Sequence, residues 1–147
     1  PTAEMAKLKP ALTFDKRIQL EAAAFTPHTQ ANDRVTVRLI WAATENITRS
    51  YKVFVHLYTM DGHLVAQHDS LPVNELRPTW SWHPGEQIVD NHGLWLPADV
   101  SEPLRLAVGL YDPETNTRLT LPDGGLDHAD IGVVEVAPKS RPQVPGS

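Results

Sequence analysis

The sequence predicts an all-β fold: two antiparallel sheets packed face to face, built from about eight strands. Three observations predict it. Apolar residues recur at every second position in several segments, which is the period of a half-buried strand and not of a helix. Short clusters of Asp, Gly, Pro and Asn separate those segments at turn spacing. No long amphipathic helical stretch is present, so the crossover helices of a parallel α/β fold have no material.

Three segments alternate most clearly. In residues 34–42, Val35, Val37, Leu39 and Trp41 share one face and Thr36 and Arg38 the other. In 51–58, Tyr51, Val53, Val55 and Leu57 oppose Lys52, Phe54, His56 and Tyr58. In 104–111, Leu104, Leu106, Val108 and Leu110 oppose Arg105, Ala107, Gly109 and Tyr111. Weaker strands are expected over 17–24, 63–68, 87–96, 117–121 and 131–136. Asp61-Gly62 is a hairpin turn signal, and Asp112-Pro113-Glu114-Thr115-Asn116 marks a second hairpin. Pro84-Gly85, Pro97-Ala98-Asp99 and Pro122-Asp123-Gly124-Gly125 break the chain elsewhere. Strands this short, joined by such turns, point to an immunoglobulin-like sandwich.

The sandwich is expected over residues 16–137. Residues 1–15 form an N-terminal extension without a strong period, where 3–8 suit a weak helical turn that Pro10 stops. The stretch 138–147 is a Pro-rich C-terminal tail. The first residues lack the apolar centre of a signal peptide and an initiator Met, which reads as a fragment of a longer protein or a processed chain.

Composition excludes several classes. The formal net charge of −5 repels a phosphate backbone, so no nucleic-acid partner is expected. Cysteine is absent, which removes disulfides, thiolate catalysis and cysteine metal sites. No apolar run approaches the ~20 residues of a membrane-spanning helix. There is no Gly-x-Ser-x-Gly elbow, no His-Glu-x-x-His and no phosphate-binding glycine loop. Paired carboxylates for glycoside hydrolysis depend on a spatial separation that sequence leaves open, but with Asp90 as the main acidic residue in a strand position they are not the favoured reading. The domain is expected to be non-catalytic and to need no cofactor.

The run from Tyr51 to Ser70 carries a further signal. So do Leu76-Arg77-Pro78-Thr79, Trp82-His83-Pro84-Gly85-Glu86 and Val108-Gly109-Leu110-Tyr111-Asp112-Pro113. Together they resemble the soluble β-sandwich domain appended after the membrane part of polytopic bacterial glycosyltransferases of the dolichyl-phosphate-mannose mannosyltransferase-like type. The resemblance covers residues 15–137. It implies a non-catalytic accessory domain, extracytoplasmic and part of a membrane-anchored protein. Its partners would be a glycan, a lipid-linked sugar or the membrane part of the same polypeptide. The resemblance carries no catalytic residue onto this chain. Two alternatives stay open: a structural or protein-interaction domain, and a carbohydrate-binding module of a secreted hydrolase.

Ligand-binding residues are sought among the aromatics. Trp80 and Trp82 lie in a Pro-bounded loop, two positions apart, so an extended backbone puts both on one side as a platform for a sugar ring. The competing expectation is that one or both plug the open end of the sandwich. Trp95, near a strand end, is the third candidate, whereas Trp41 falls in register with the core. The spacing of His56, His63 and His68 matches no zinc signature, although pairing about Asp61-Gly62 could bring His56 near His68, and His92 lies on another strand. His56 with Gly109 suggests close packing between neighbouring strands. Asp112, Asp123, Asp127 and Asp130 lie near two loops that suit calcium, but turn formation explains them more simply. No metal site is expected.

Overall fold

The computed structural model describes residues 5–122 and 125–139. It contains β1 (Ala6–Phe14), β2 (Ile18–Phe25), β3 (His28–Gln30), β4 (Arg34–Ala43), β5 (Lys52–Thr59), β6 (Leu64–Ser70), β7 (Ile88–Trp95), β8 (Leu104–Asp112), β9 (Thr117–Arg118) and β10 (Ala129–Ala137). The first sheet runs β1-β2-β4-β7. The second runs β3-β10-β8-β5-β6, with β9 paired to β8. The two layers form an immunoglobulin-like β-sandwich.

Alternation explains why these strands form and how they face. Along β4, Val35, Val37, Leu39 and Trp41 are buried, while Arg34 and Arg38 are exposed. Along β5 and β8, Val53, Val55, Leu57, Leu104, Leu106, Val108 and Leu110 point into the same interior. Each such side chain contributes about 1.5–3 kcal/mol of burial before ordering entropy is subtracted. The β5–β6 hairpin turns where Asp61-Gly62 predicts it, with Gly62 at φ +96° and its N–H donating to the Thr59 carbonyl. In the β8–β9 hairpin, Asn116 takes φ +61° and its N–H donates to the Asp112 carbonyl at 2.7 Å.

All eight expected strands are present, and β1 and β3 are additional. The expected helical turn near the N-terminus is replaced by β1, whose register to β2 shifts between Lys7 and Leu12. That irregularity breaks the period of two, which is why the segment shows none. Pro10 is accommodated because β1 lies at a sheet edge, where one side of the strand needs no ladder donor. Sheet pairing therefore starts ahead of residue 16. The sandwich is also not wholly antiparallel, since β3 runs parallel to β10 with His28 opposite Glu135. Of the Pro122–Gly125 turn, residues 123 and 124 lie outside the described residues, as does the tail from residue 140.

Candidate functional site

The connection from β6 to β7 crosses one end of the sandwich, and Arg77 holds it in shape. The Arg77 guanidinium donates to both Glu86 carboxylate oxygens at 2.7 and 3.0 Å, to Ser81 Oγ at 3.2 Å and to the Ser81 carbonyl at 3.1 Å. This bidentate pair, helped by the His83 N–H, holds the Glu86 carboxyl down to about 2. Thr79, fully buried, accepts from the Tyr51 N–H and donates to the Arg49 carbonyl, pinning the loop to the start of β5.

Thr79–Ser81 form a 3-10 turn. Its tighter winding overturns the expectation that Trp80 and Trp82 share a side, which holds only for extended backbone. Trp80 points outward and is 61% exposed. Trp82 points inward, is 2% exposed, and its indole N–H donates to the Arg77 carbonyl at 2.9 Å. Trp82 is thus a plug of the interior.

Trp80 overhangs a cavity of about 350 Å³ lined by Thr48, Arg49, Ser50, Asp112, Pro113 and Glu114. Arg49 reaches across it to Asp112 Oδ2 at 2.7 Å and Glu114 Oε2 at 3.2 Å. Asp112, nearly buried, also accepts the Glu114 N–H at 2.9 Å. The cavity therefore pairs an open aromatic face with fixed donors and acceptors.

Trp95 stands elsewhere. It is 67% exposed on the outer face of the first sheet, opposite Arg34, whose guanidinium carbon lies 5.5 Å from the ring centroid. Arg34 begins β4, whereas the loop bearing Trp80 binds the end of that strand through the Gly85 N–H to the Ala43 carbonyl. A ten-residue strand separates the two ends by roughly 30 Å. The three tryptophans do not form one site.

The histidines pair differently from expectation. His68 lies opposite Val55 and His56 opposite Gln67, so the two occupy opposite faces of the sheet and do not meet. His68 instead reaches across the interior to His92, with Nδ1 atoms 2.8 Å apart. His92 Nε2 lies 2.7 Å from Asp90 Oδ2. Asp90, fully buried at a core-facing position of β7, also accepts from the Trp41 indole at 3.2 Å and the Val73 N–H at 2.8 Å. Residue-by-residue reading missed this inter-sheet chain. The signal for it was the period of β7, which puts Asp90 and His92 in line with Ile88 and Leu94.

The acidic residues near the loops are engaged by basic side chains. Asp127 pairs with Arg118 at 3.4 Å and His128 at 3.0 Å, while Asp130 approaches Arg105 and His128. The hydrogen bond from His128, and Arg118 more weakly, hold the Asp127 pKa below the usual carboxylate range. Asp123 lies outside the described residues. Among the described residues, no three acidic or histidine side chains converge as metal ligands.

Gly109 lies directly opposite Phe54 on the outer face of the second sheet. A Cβ at Gly109 would sit 2.4 Å from the Phe54 ring, so only glycine lets that ring lie across β8. Arg118 covers the ring from above, its guanidinium carbon 4.1 Å from the centroid.

No family model matches the chain, and no curated protein matches it in sequence. Solved structures do. The C-terminal domain of Wzt matches with a TM-score of 0.61 at 16% identity, over 88% of this chain and 78% of that one. The CARDB domain of a Pyrococcus furiosus protein matches with a TM-score of 0.48 at 16% identity, over 80% of this chain and 90% of that one. The likeness to the Wzt domain establishes the sandwich fold. Among the described residues, no helix is long and apolar enough to cross a membrane.

Proposed function

We propose that this β-sandwich is a non-catalytic glycan-binding domain whose binding surface is the Trp80 cavity. One observation carries the reading: an indole 61% exposed yet held on a turn tied down at Thr79, Ser81 and Trp82. A surface aromatic fixed this firmly is preorganised for stacking against the C–H face of a sugar ring. Arg49, Asp112 and Glu114 beneath it offer donors and acceptors for ring hydroxyls. With two carboxylates to one guanidinium on this wall, a neutral sugar fits better than an acidic one. The role of accessory domain to a membrane glycosyltransferase, outside the cytoplasm, draws its support from the sequence resemblance over residues 15–137.

A glycan array of bacterial polysaccharide fragments tests the reading. The parent protein binds a subset of neutral glycans, and Trp80→Ala abolishes that binding while leaving the fold intact. Silence of the parent across the array, or binding indifferent to Trp80→Ala, overturns it.

A protein-interaction role is favoured by a different observation. The edge strand β7 presents Val89, 45% exposed, and Trp95 on its outer face. A second copy pairing along that edge would cover both. Light scattering that finds a dimer, disrupted by Trp95→Ala, would favour it; a monomer at high concentration would remove it.

A further inference from the structure

A second polar cavity, of about 180 Å³, opens on the outer face of the second sheet, lined by Phe54, His56, Asp69, Tyr111, Asn116 and Arg118. It flanks the same β8–β9 hairpin that supplies Asp112 and Glu114 to the Trp80 cavity, but no residue lines both. Its side chains are fixed from behind. His56, 7% exposed, is tied at both ring nitrogens: Nδ1 to the Tyr58 hydroxyl at 2.9 Å and Nε2 to Asp69 Oδ1 at 3.2 Å. The pattern assigns a neutral imidazole that accepts from Tyr58 and donates to Asp69. Burial and the nearby Asp69 carboxylate push the Tyr111 hydroxyl up to about 12, so it stays neutral. Arg118 lies over the Phe54 ring, an arrangement that Gly109 makes room for.

Two opposite charges therefore face one small cavity without neutralising each other. Asp69 turns to His56, and Arg118 turns to Asp127. A ligand that fills the space must satisfy both. A phosphate or carboxylate satisfies Arg118 and is repelled by Asp69. An ammonium satisfies Asp69 and is repelled by Arg118. A hydroxyl both donates and accepts, so a pair of adjacent hydroxyls bonds to the carboxylate and to the guanidinium together. The Asn116 amide, exposed at the mouth, adds one further donor and acceptor.

The geometry points to this cavity as a second sugar subsite, taking one neutral monosaccharide unit through adjacent hydroxyls held between Asp69 and Arg118. The inference shares its ligand class with the proposed function but none of its residues, so the two stand or fall separately.

The test is a nuclear magnetic resonance titration of the intact isotope-labelled chain with mannose, galactose, rhamnose and N-acetylglucosamine, and in parallel with inorganic phosphate. At least one sugar shifts the His56 imidazole and Asn116 side-chain amide signals saturably. Asp69→Asn weakens that binding at least about tenfold, the loss expected for a charge-assisted hydrogen bond, and Asn116→Gly weakens it by about fivefold, as for a neutral one. The glycine keeps the positive φ of Asn116, so the fold is preserved. Saturable shifts with phosphate alone, or silence of both signals with every sugar, overturn the inference. If the Trp80 indole responds to sugar while His56 and Asn116 stay silent, the subsite falls and the proposed function survives. The converse pattern removes the Trp80 site and keeps this one.

Discussion

The Nδ1 atoms of His68 and His92 lie 2.8 Å apart across the gap between the two sheets. One of them must donate and the other accept. Since His92 Nε2 faces the Asp90 carboxylate, the arrangement is satisfied when His92 carries its proton on Nε2 and accepts at Nδ1 from His68. Protonating both rings at once removes the acceptor and sets two cations against each other.

Stability should therefore fall as the solution is acidified through the histidine range. Burial lowers the affinity of His68 for a proton below its usual value near 6.5, and His92 lowers it further, against smaller opposing effects of Asp90, Asp69 and Glu75. His56 is lowered too, mainly by burial, with Asp69 opposing and Arg118 adding slightly. For a histidine depressed in the folded state, the unfolded chain binds more protons. The stabilising contribution is complete above pH 6.5 and is lost as pH drops toward the folded value. Urea midpoints across this range should decline on the acid side, and His68→Gln should flatten the decline. A midpoint that rises on acidification would contradict the assignment.

Asp90 anchors that chain. Replacing it with Ala leaves the Trp41 indole, the Val73 N–H and the His92 ring without their acceptor in the interior. The expected cost is about 3–5 kcal/mol, the range for breaking a buried charged network from one side. Asp90→Asn keeps one acceptor oxygen and should cost less. Trp41→Phe removes a single donor and should lose only about 1 kcal/mol beyond its packing change. Equilibrium denaturation of the three variants gives the ranking directly.

Trp80 and Trp82 should separate cleanly. Trp82→Ala empties a buried position and loses the hydrogen bond to Arg77, an expected destabilisation of about 3–5 kcal/mol. Trp80→Ala removes an exposed ring and should stay within about 0.5 kcal/mol of the parent. Thermal melts that rank them the other way would show that Trp80 holds the end of the sandwich and is not a free platform.

What the sequence made legible follows from which forces it encodes locally. β4, β5 and β8 alternate because each buries one face against the opposite sheet, and that burial leaves a period of two on the page. β1 lost its period to an irregular register, and β3 spans only His28–Gln30, too few residues to show one. The relation of Trp80 to Trp82 was hidden for another reason. Its side-chain directions depend on a turn closed by Arg77, Ser81 and Glu86, contacts that spacing does not announce. The His68–His92 pairing joins strands of different sheets, so neither hairpin logic nor metal-ligand spacing points to it. The Trp80 cavity joins Asp112 of β8 to residues of three loops, and the second cavity joins β5, β6, β8 and β9, so only the folded chain brings either together.

The Arg77–Glu86 pair should make the loop under Trp80 acid-sensitive in its own window. Glu86 is depressed to about 2 from its usual value of 4.5. A depressed carboxyl stabilises fully above the unfolded value and loses that contribution as pH falls through the folded one. The pair is solvent-facing, so the effect is local: Trp80 fluorescence should change at low pH before global unfolding. Glu86→Gln should show the altered signal already at neutral pH. An unchanged Trp80 signal in that variant would mean that the Thr79 contacts alone hold the turn.

Gly109 and Phe54 give the sharpest steric test. Gly109→Ala drives a methyl to within 2.4 Å of the ring, so Phe54 must leave its place over β8. Overpacking of this kind costs about 1–3 kcal/mol. Phe54→Leu withdraws the ring and should relieve the clash, so the double variant should be more stable than the sum of the single losses predicts. The coupling should also appear at Arg118, which loses its aromatic support in either background. If the two substitutions add without interaction, the ring does not rest on Gly109. The stacked Arg118 of the second cavity would then have no rigid floor.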